Sequence, residues 1–432
     1  MNKRTYYRLP LVLESALSIG GAYSFDTDAD VIVDSRNMPF IPASSIAGVL
    51  RHASAEETAR KLFGSLDGDD TVVRVFDACA EEGAAISVRD NVALEEDDKV
   101  AKQGAKFDRQ VVDKGARFTA YLELVGETEG IDAEAEIESL IAKLHHGQIK
   151  LGSKTTRGLG YVALENGTFE KVTFGTNDVD AWLDFDMFED ACWANAKKIP
   201  VGKLTYEGAR FTLKLAVKGA LSIREYTTEL PDEPAGEITA PDYKQLSLGA
   251  TGNPLIPGSS WAGAFRAQYR KLTGKSDREI GDLFGTVDDK AARSKISFTE
   301  SEVTDGSWKK PWKKITRNSI DRYTGGTTDG ALFTELTHYG GETTLTIDID
   351  EPKAEWLTVI IACIADLNNG YMAVGGLTSV GHGLFEVKDA SLEVAGRPVN
   401  AFGEAFRCDG DAIPDIEAIL AEIGPLGEGE LR

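Results

Sequence analysis

The sequence predicts an α+β protein made of two tandem ferredoxin-like (RRM-like) domains, and three observations predict it. The chain has 432 residues, too many for one typical domain and enough for two that each bury a core. The string "IPASSIAGVLR" at 41–51 returns as "IPGSSWAGAFR" at 256–266. It returns in company: "ALSI" at 16–19 recurs at 220–223, "LFG" at 62–64 recurs at 283–285, "GAKF" at 104–107 becomes "GALF" at 330–333, and "RGLG" at 157–160 becomes "VGHG" at 380–383. Insertions change the spacing but never the order, as in a duplicated domain.

Each copy carries the same elements in turn. A strand rich in β-branched and aliphatic residues opens it, "RLPLVLESALSI" (8–19) and "RFTLKLAVKGALSI" (210–223), and leads through a polar loop to the IPxSS element. Ser44 or Ser45 can cap a helix whose Ile46, Val49, Leu50 and Ala53 share one face, matched by Trp261 and Phe265 in the second copy. Two strands follow, including "ARFTAYLELV" (116–125) and "TTLTIDI" (343–349). A second helix presents Ile137, Leu140, Ile141 and Leu144 and stops at Gly147; its counterpart, Trp356 to Leu367, stops at Gly370. A glycine-rich loop and a last strand complete β-α-β-β-α-β, with both helices on one face and the other face open to bind. The expected divisions are a first domain at 1–175, an acidic aromatic linker at 176–205, a second domain at 206–400 and an acidic tail at 401–432.

The net charge of −23 argues against a nucleic-acid partner until its distribution is read. Residues 139–164 contain no Asp or Glu but carry Lys143, Lys150, Lys154 and Arg157, and "WKKPWKKITR" (308–317) sets five cations around two tryptophans in what reads as a loop. The acids collect in "NDVDAWLDFDMFED" (177–190), between Glu229 and Asp242, and after Phe402. No apolar run approaches a membrane span, and the N-terminal stretch is broken by Pro10 and Glu14, so neither a membrane nor a leader is expected. Cys79, Cys192, Cys363 and Cys408 form no CxxC pair, consistent with a reducing cytoplasm.

A serine-led helix start offers backbone N–H groups and the positive end of a dipole to an anion. The loop "LGSKTTRGLG" (151–160) adds close backbone approach, hydroxyls and two cations. Together they form a cradle for a phosphodiester backbone. The candidate RNA contacts are Ser44, Ser45, Arg51, Lys154 and Arg157 in the first copy and Ser259, Ser260, Arg266, Lys313 and Lys314 in the second. His382 is read as replacing the loop arginine. His145 and His146, closing a helix, are given no chemistry.

The strings "GGAYSFDTDADVIVDSRNMPFIPASSIAGVLR", "RDNV…GAKFDRQVVDKGARF" and "LGSKTTRGLGYV", with "PLIPGSSWAGAFR", "ITRNSIDRYTGGTTDGALF" and "VGGLTSVGHG", resemble the repeat-associated mysterious protein (RAMP) superfamily, in particular backbone subunits of type III CRISPR effectors. The resemblance implies two fused backbone units holding CRISPR RNA while target RNA pairs with its exposed segments. Its further implied partners are the large subunit and other backbone subunits. It also implies that an aspartate in the loop before IPxSS promotes cleavage of the target with Mg²⁺ or Mn²⁺. Family spacing falls on Asp28, with Asp26 and Asp30 within a slip of one or two residues, and on Asp242 in the second copy. Two alternatives stand beside this reading. One is a non-catalytic RNA-binding backbone; the other is a small-molecule enzyme with its site between the repeats.

Overall fold

The computed structural model describes residues 2–20, 26–64, 71–94, 101–226, 241–286, 291–304, 310–403, 409, 416–418 and 420–421. Trp308, Cys408, most of the segment from Glu229 to Asp242 and most of the acidic tail lie outside them. The chain divides into two compact units, one of residues 1–89, 107–155 and 159–204, the other of residues 90–106, 156–158 and 205–432. Among the described residues no helix is long and apolar enough to cross a membrane.

In the first unit the opening strand, Arg4–Leu13, lies at the centre of its sheet. It runs antiparallel to Arg117–Val125 on one side and to Val162–Leu164 and Thr168–Phe174 on the other. The short strands Val73–Val75 and Ala78–Ala80 pair with the far edge of Arg117–Val125. Alternation sends Tyr7, Leu9, Leu11 and Leu13 to one face, where Ile46 and Leu50 of the helix Ala43–His52 and Ile137, Leu140, Ile141 and Leu144 of the helix Ala133–His145 complete the core. The second unit repeats this plan. Ala209–Lys218 lies between Glu342–Ile349 and Leu384–Val394, with Ile296–Phe298 at the edge. Phe211, Leu213 and Leu215 pack on Trp261 and Phe265 of the helix Gly258–Thr273 and on Ile360, Ile361 and Ile364 of the helix Ala354–Asn369. This is the ferredoxin-like arrangement, twice.

Each repeat inserts a long hairpin between its middle strands: Ile86–Leu94 with Ala101–Val112, and Trp312–Ile320 with Thr327–Tyr339. The second hairpin corrects the reading of "WKKPWKKITR" as a loop. From Trp312 onward it is strand, because Ile315 and Thr316 favour an extended backbone and the strand keeps its lysines exposed. Trp312 is half-buried, its ring edge-on to His338 at 5.1 Å.

Two further expectations change. The serine helices are not capped by their serines: Pro42 and Pro257 stand at the N-cap positions without side-chain caps, which places Ser44, Ser45, Ser259 and Ser260 in the first turn. A carboxylate between the strands Val73–Val75 and Ala78–Ala80 takes the cap's part in the first unit, where Asp77 Oδ1 accepts the Ala43 N–H at 2.6 Å. The open sheet face is also closed in the first unit. Trp182, Phe185, Met187 and Trp193 of the acidic aromatic stretch pack over Tyr6, Tyr121 and Phe174, and Trp182 Nε1 donates to the Tyr6 hydroxyl at 2.9 Å. Arg4 and Arg8 stack on Trp182 and Trp193 at 4.8 and 5.2 Å, and Arg8 ion-pairs with Asp190. On the corresponding face of the second unit Lys214, Lys218 and Lys388 remain exposed.

Candidate nucleic-acid interface

The two glycine-rich loops share one backbone. Lys154 and Leu377 have φ of 58° and 55°, Gly158 and Gly381 of 89° and 87°, Gly160 and Gly383 of 80° and 73°. Each loop is tied to the opening strand by matching bonds. Ser153 N–H donates to Ser18 O at 2.8 Å and Gly376 N–H to Ser222 O at 2.7 Å; Gly160 and Gly383 donate to Ala16 O and Ala220 O, both at 2.8 Å. Glycine is required at 160 and 383, because a Cβ there would overlap the Leu151 or Val374 carbonyl.

This register corrects the place of His382. Val380 stands where the first loop has Arg157, Leu377 where it has Lys154, and His382 where it has Leu159. Lys154 and Arg157 hold exposed side chains, so the second loop has exchanged both of its exposed cations for apolar residues. Residues 156–158 belong to the second compact unit, where the Arg157 carbonyl lies so close to Gly258 that a Cβ would not fit.

The acid loops are anchored alike. Asp28, exposed, accepts the Asp108 N–H on Oδ2 at 3.0 Å, and Asp108 Oδ1 accepts the Asp28 N–H at the same distance. Asp242, also exposed, accepts the Thr334 N–H on Oδ2 at 2.7 Å and gives its own N–H to Thr334 O at 2.8 Å. Asp108 and Thr334 each follow the glycine of GAKF or GALF by four residues, so both acids meet the same rung of their hairpins. The neighbouring acids shape the first loop. Asp30 accepts from Thr27 N–H and Oγ1 and from Asp26 N–H. Asp34 accepts from the backbone of Met38 and Arg36 and pairs with the Arg36 guanidinium; these bonds, Met38 first, hold its pKa below the usual carboxylate value.

One residue beyond the anchoring rung, each hairpin is tied to its glycine-rich loop. Arg109 Nη1 donates to Ser18 Oγ at 3.0 Å and Ser153 Oγ at 3.3 Å. In its place the second repeat has Glu335, 2 % exposed, ion-paired with Arg317 Nη1 at 2.6 Å. Arg317 Nη2 in turn lies 3.1 Å from His382 Nε2. A guanidinium can only donate, so His382 accepts on Nε2 and is neutral with its proton on Nδ1. Burial pushes its pKa below the ordinary imidazole value, helped by Arg317 and Arg224 and opposed by Glu335. No pattern in the sequence singled out Arg109, because its counterpart carries the opposite charge.

The remaining candidates lie elsewhere. Ser44 lines a groove of about 530 Å³ with Phe63, Arg74 and Arg51, whose guanidinium donates to Gly64 O. Arg266 pairs with Asp277 at 3.0 Å, so both helix arginines fasten the chain that follows their helices. Ser45, Ser259 and Ser260 are half-buried. Lys313 stands 4.7 Å over the Tyr339 ring, and Lys314 is exposed beside it. His145 Nδ1 accepts the Leu164 N–H at 3.0 Å, a structural bond. Among the described residues no group of three or more His, Cys, Asp or Glu could hold a metal. The first repeat offers the carboxylate pair Asp28 and Asp108; the second offers Asp242 beside Thr334.

No curated protein sequence matches the chain. Among solved structures it is similar to a chain of the type III-B Cmr-beta bound to cognate target RNA, determined by cryo-EM, at 17% identity and a TM-score of 0.32. That overlap covers 40% of this chain and 61% of the other. The model of the RAMP superfamily matches residues 11–163 and 239–386, one match to each repeat and well over half the length. With its duplicated strand order and paired glycine-rich loops, the chain belongs to the RAMP superfamily.

Proposed function

We propose that this chain is a backbone subunit of a type III CRISPR effector, holding guide CRISPR RNA along both repeats and cleaving complementary target RNA beside Asp28 and Asp242. The large subunit and further backbone subunits are its partners, in the cytoplasm. The observation that carries the reading is the common anchoring of the two exposed acids on equivalent hairpin rungs.

The residues present fit a divalent ion best in the first repeat. Mg²⁺ is commonly held by one or two carboxylates with substrate phosphates completing the shell, and Asp28 with Asp108 supplies such a set. Bound there, Mg²⁺ or Mn²⁺ would lower the pKa of a hydroxyl or water and offset charge on the phosphate. Asp28 would accept a proton from the attacking hydroxyl, while the Asp108 N–H fixes one of its oxygens in place. Lys154 and Arg157 hold the RNA backbone. In the second repeat Thr334 stands in place of the second carboxylate, which favours weaker cleavage there or a purely structural role.

In an assembled effector given complementary target RNA and Mg²⁺ or Mn²⁺, Asp28→Ala should remove one cut and Asp242→Ala another, with guide and target binding retained. An unchanged cleavage ladder in both variants would leave a passive RNA-binding backbone. Loss of RNA binding would mark the two aspartates as structural.

A further inference from the structure

The second glycine-rich loop keeps the backbone of the first but has lost its cations, so a phosphate passing it needs another positive group. Arg224 stands at the required place. Gly376 occupies the position of Ser153, and the Arg224 guanidinium lies in the space a side chain would fill: a Cβ on Gly376 would sit 3.5 Å from Nε and 3.9 Å from Cζ. The guanidinium is stacked 4.1 Å over the ring of Tyr243, the residue after Asp242. Arg224 is half-buried, and among the described residues its Nε has no hydrogen-bond partner. Arg317, by contrast, is neutralised by Glu335.

The first repeat reaches the same result from another strand. Two residues beyond the opening-strand serine it has Gly20 where the second repeat has Arg224, but its hairpin supplies Arg109, which donates to Ser18 and Ser153 at the base of the loop. The repeats thus differ at three positions together, Gly20 against Arg224, Arg109 against Glu335 and Ser153 against Gly376, and each places a guanidinium at the base of its loop, Arg109 in the first and Arg224 in the second. In both it stands close to the anchored acid: Arg109 follows Asp108, and Arg224 stacks on the neighbour of Asp242.

We propose that Arg109 and Arg224 each bind a phosphate in their repeats, beside Lys154 and Arg157 in the first, presenting a planar guanidinium fork to a phosphodiester of the RNA that follows the glycine-rich loop. The proposal rests on the RNA-binding reading above. Binding of the full-length chain to a single-stranded RNA of guide length, measured across a salt series, tests it. Arg109→Ala and Arg224→Ala should each weaken binding roughly tenfold and lower the slope of log affinity against log salt by about 0.7, the share of one single-strand phosphate. Both should leave the thermal midpoint within a few degrees of the parent's. Arg109→Lys and Arg224→Lys, which keep the charge and lose the fork, should restore the slope and part of the affinity.

The repeats also provide a rescue. The Gly20 φ lies outside the left-handed region, and among the described residues a Cβ there meets the Asp30 carbonyl at an ordinary 3.6 Å. Gly20→Arg with Ser153→Gly, added to Arg109→Ala, should therefore restore the slope by the second repeat's route. An unchanged slope in both alanine variants, with the parent chain binding RNA normally, overturns this assignment alone. A parent chain without salt-dependent RNA binding overturns the underlying reading as well.

Discussion

The tie between hairpin and glycine-rich loop is built from hydroxyls and one arginine in the first repeat, and from a buried ion pair and a neutral imidazole in the second. The backbones they hold enter the left-handed region at the same positions, Lys154 and Leu377, Gly158 and Gly381, Gly160 and Gly383. Duplication has therefore preserved the loop's path more strictly than the side chains around it. The close approach of carbonyl to glycine that fixes the path tolerates no side chain, whereas several polar arrangements can hold a hairpin beside it. The second tie buries a carboxylate and an imidazole, Glu335 and His382, where the first has hydroxyls, so the two repeats should respond differently to mutation, salt and pH.

The largest effects should fall where the repeats agree. Gly160→Val and Gly383→Val each drive a Cβ into a backbone carbonyl at positive φ, and each should cost its own unit more than about 4 kcal/mol, seen as loss of one unfolding transition. A mild effect in either would mean that the loops are not held as rigidly as their shared bonds imply. Next comes the place where they differ most. Glu335→Ala removes the buried partner of Arg317, whose own side chain stays 36 % exposed, and should destabilise the second unit by about 2 kcal/mol in urea unfolding. Removing its counterpart, Arg109→Ala, costs a partly exposed bond worth about 1 kcal/mol.

RNA binding sharpens the contrast between the loops themselves. Lys154→Ala with Arg157→Ala should lower the salt slope by about 0.7 for each phosphate no longer held. Leu377→Ala with Val380→Ala should leave it unchanged. Equal effects would mean that the loop backbone, rather than its cations, grips the RNA.

Acid should separate the units further. His382 has a folded-state pKa below its ordinary 6.5, so its stabilising contribution is complete above that value and is lost as pH falls through the interval beneath it. His382→Leu, which installs the residue of the first loop, should flatten the stability of the second unit over that interval. In the first unit Glu134 is pulled down to about 2: burial raises it, but hydrogen bonds from Lys171 and Lys3 outweigh that. Its contribution should therefore hold until pH falls below the ordinary 4.5 and fade toward about 2. The smallest change is expected from Ser44→Ala and Ser45→Ala, within about 0.5 kcal/mol because neither side chain caps the helix. Asp77→Ala should cost about 1 kcal/mol as the loss of a cap.

The fold was legible because duplication repeats its signals. Apolar alternation in "RLPLVLESALSI" and "RFTLKLAVKGALSI", helical spacing after each IPxSS and glycine stops after each second helix all describe the same six elements. The choice of Asp28 among the loop acids came from the family resemblance, and the sequence alone could not show that Asp30 is taken up by bonds to Thr27. Serine beside a helix start reads as a cap, and Pro42 took that place because its fixed φ already suits the turn into the helix. Lysine-rich strands resemble loops when hydrophobic alternation is the signal, as at Lys313 and Lys314. Arg109 and Arg224 could not be found by matching the copies, since each faces a different residue type in its partner.

The aromatic cover on the first sheet has a practical consequence for dissecting the molecule. A fragment ending near residue 175 would keep the six elements but strip Trp182, Phe185 and Trp193 from Tyr6, Tyr121 and Phe174, turning a dry interior layer into a sticky outer wall. It would also lose Lys197–Pro200, the strand that lines the free edge of Thr168–Phe174. Such a piece should clump on expression however sound its main core. Severing the chain between Val201 and Thr205 instead leaves the first sheet wearing its own coat, but that piece still carries residues 90–106 and 156–158 of the second compact unit, so the full chain is the form in which to study either repeat.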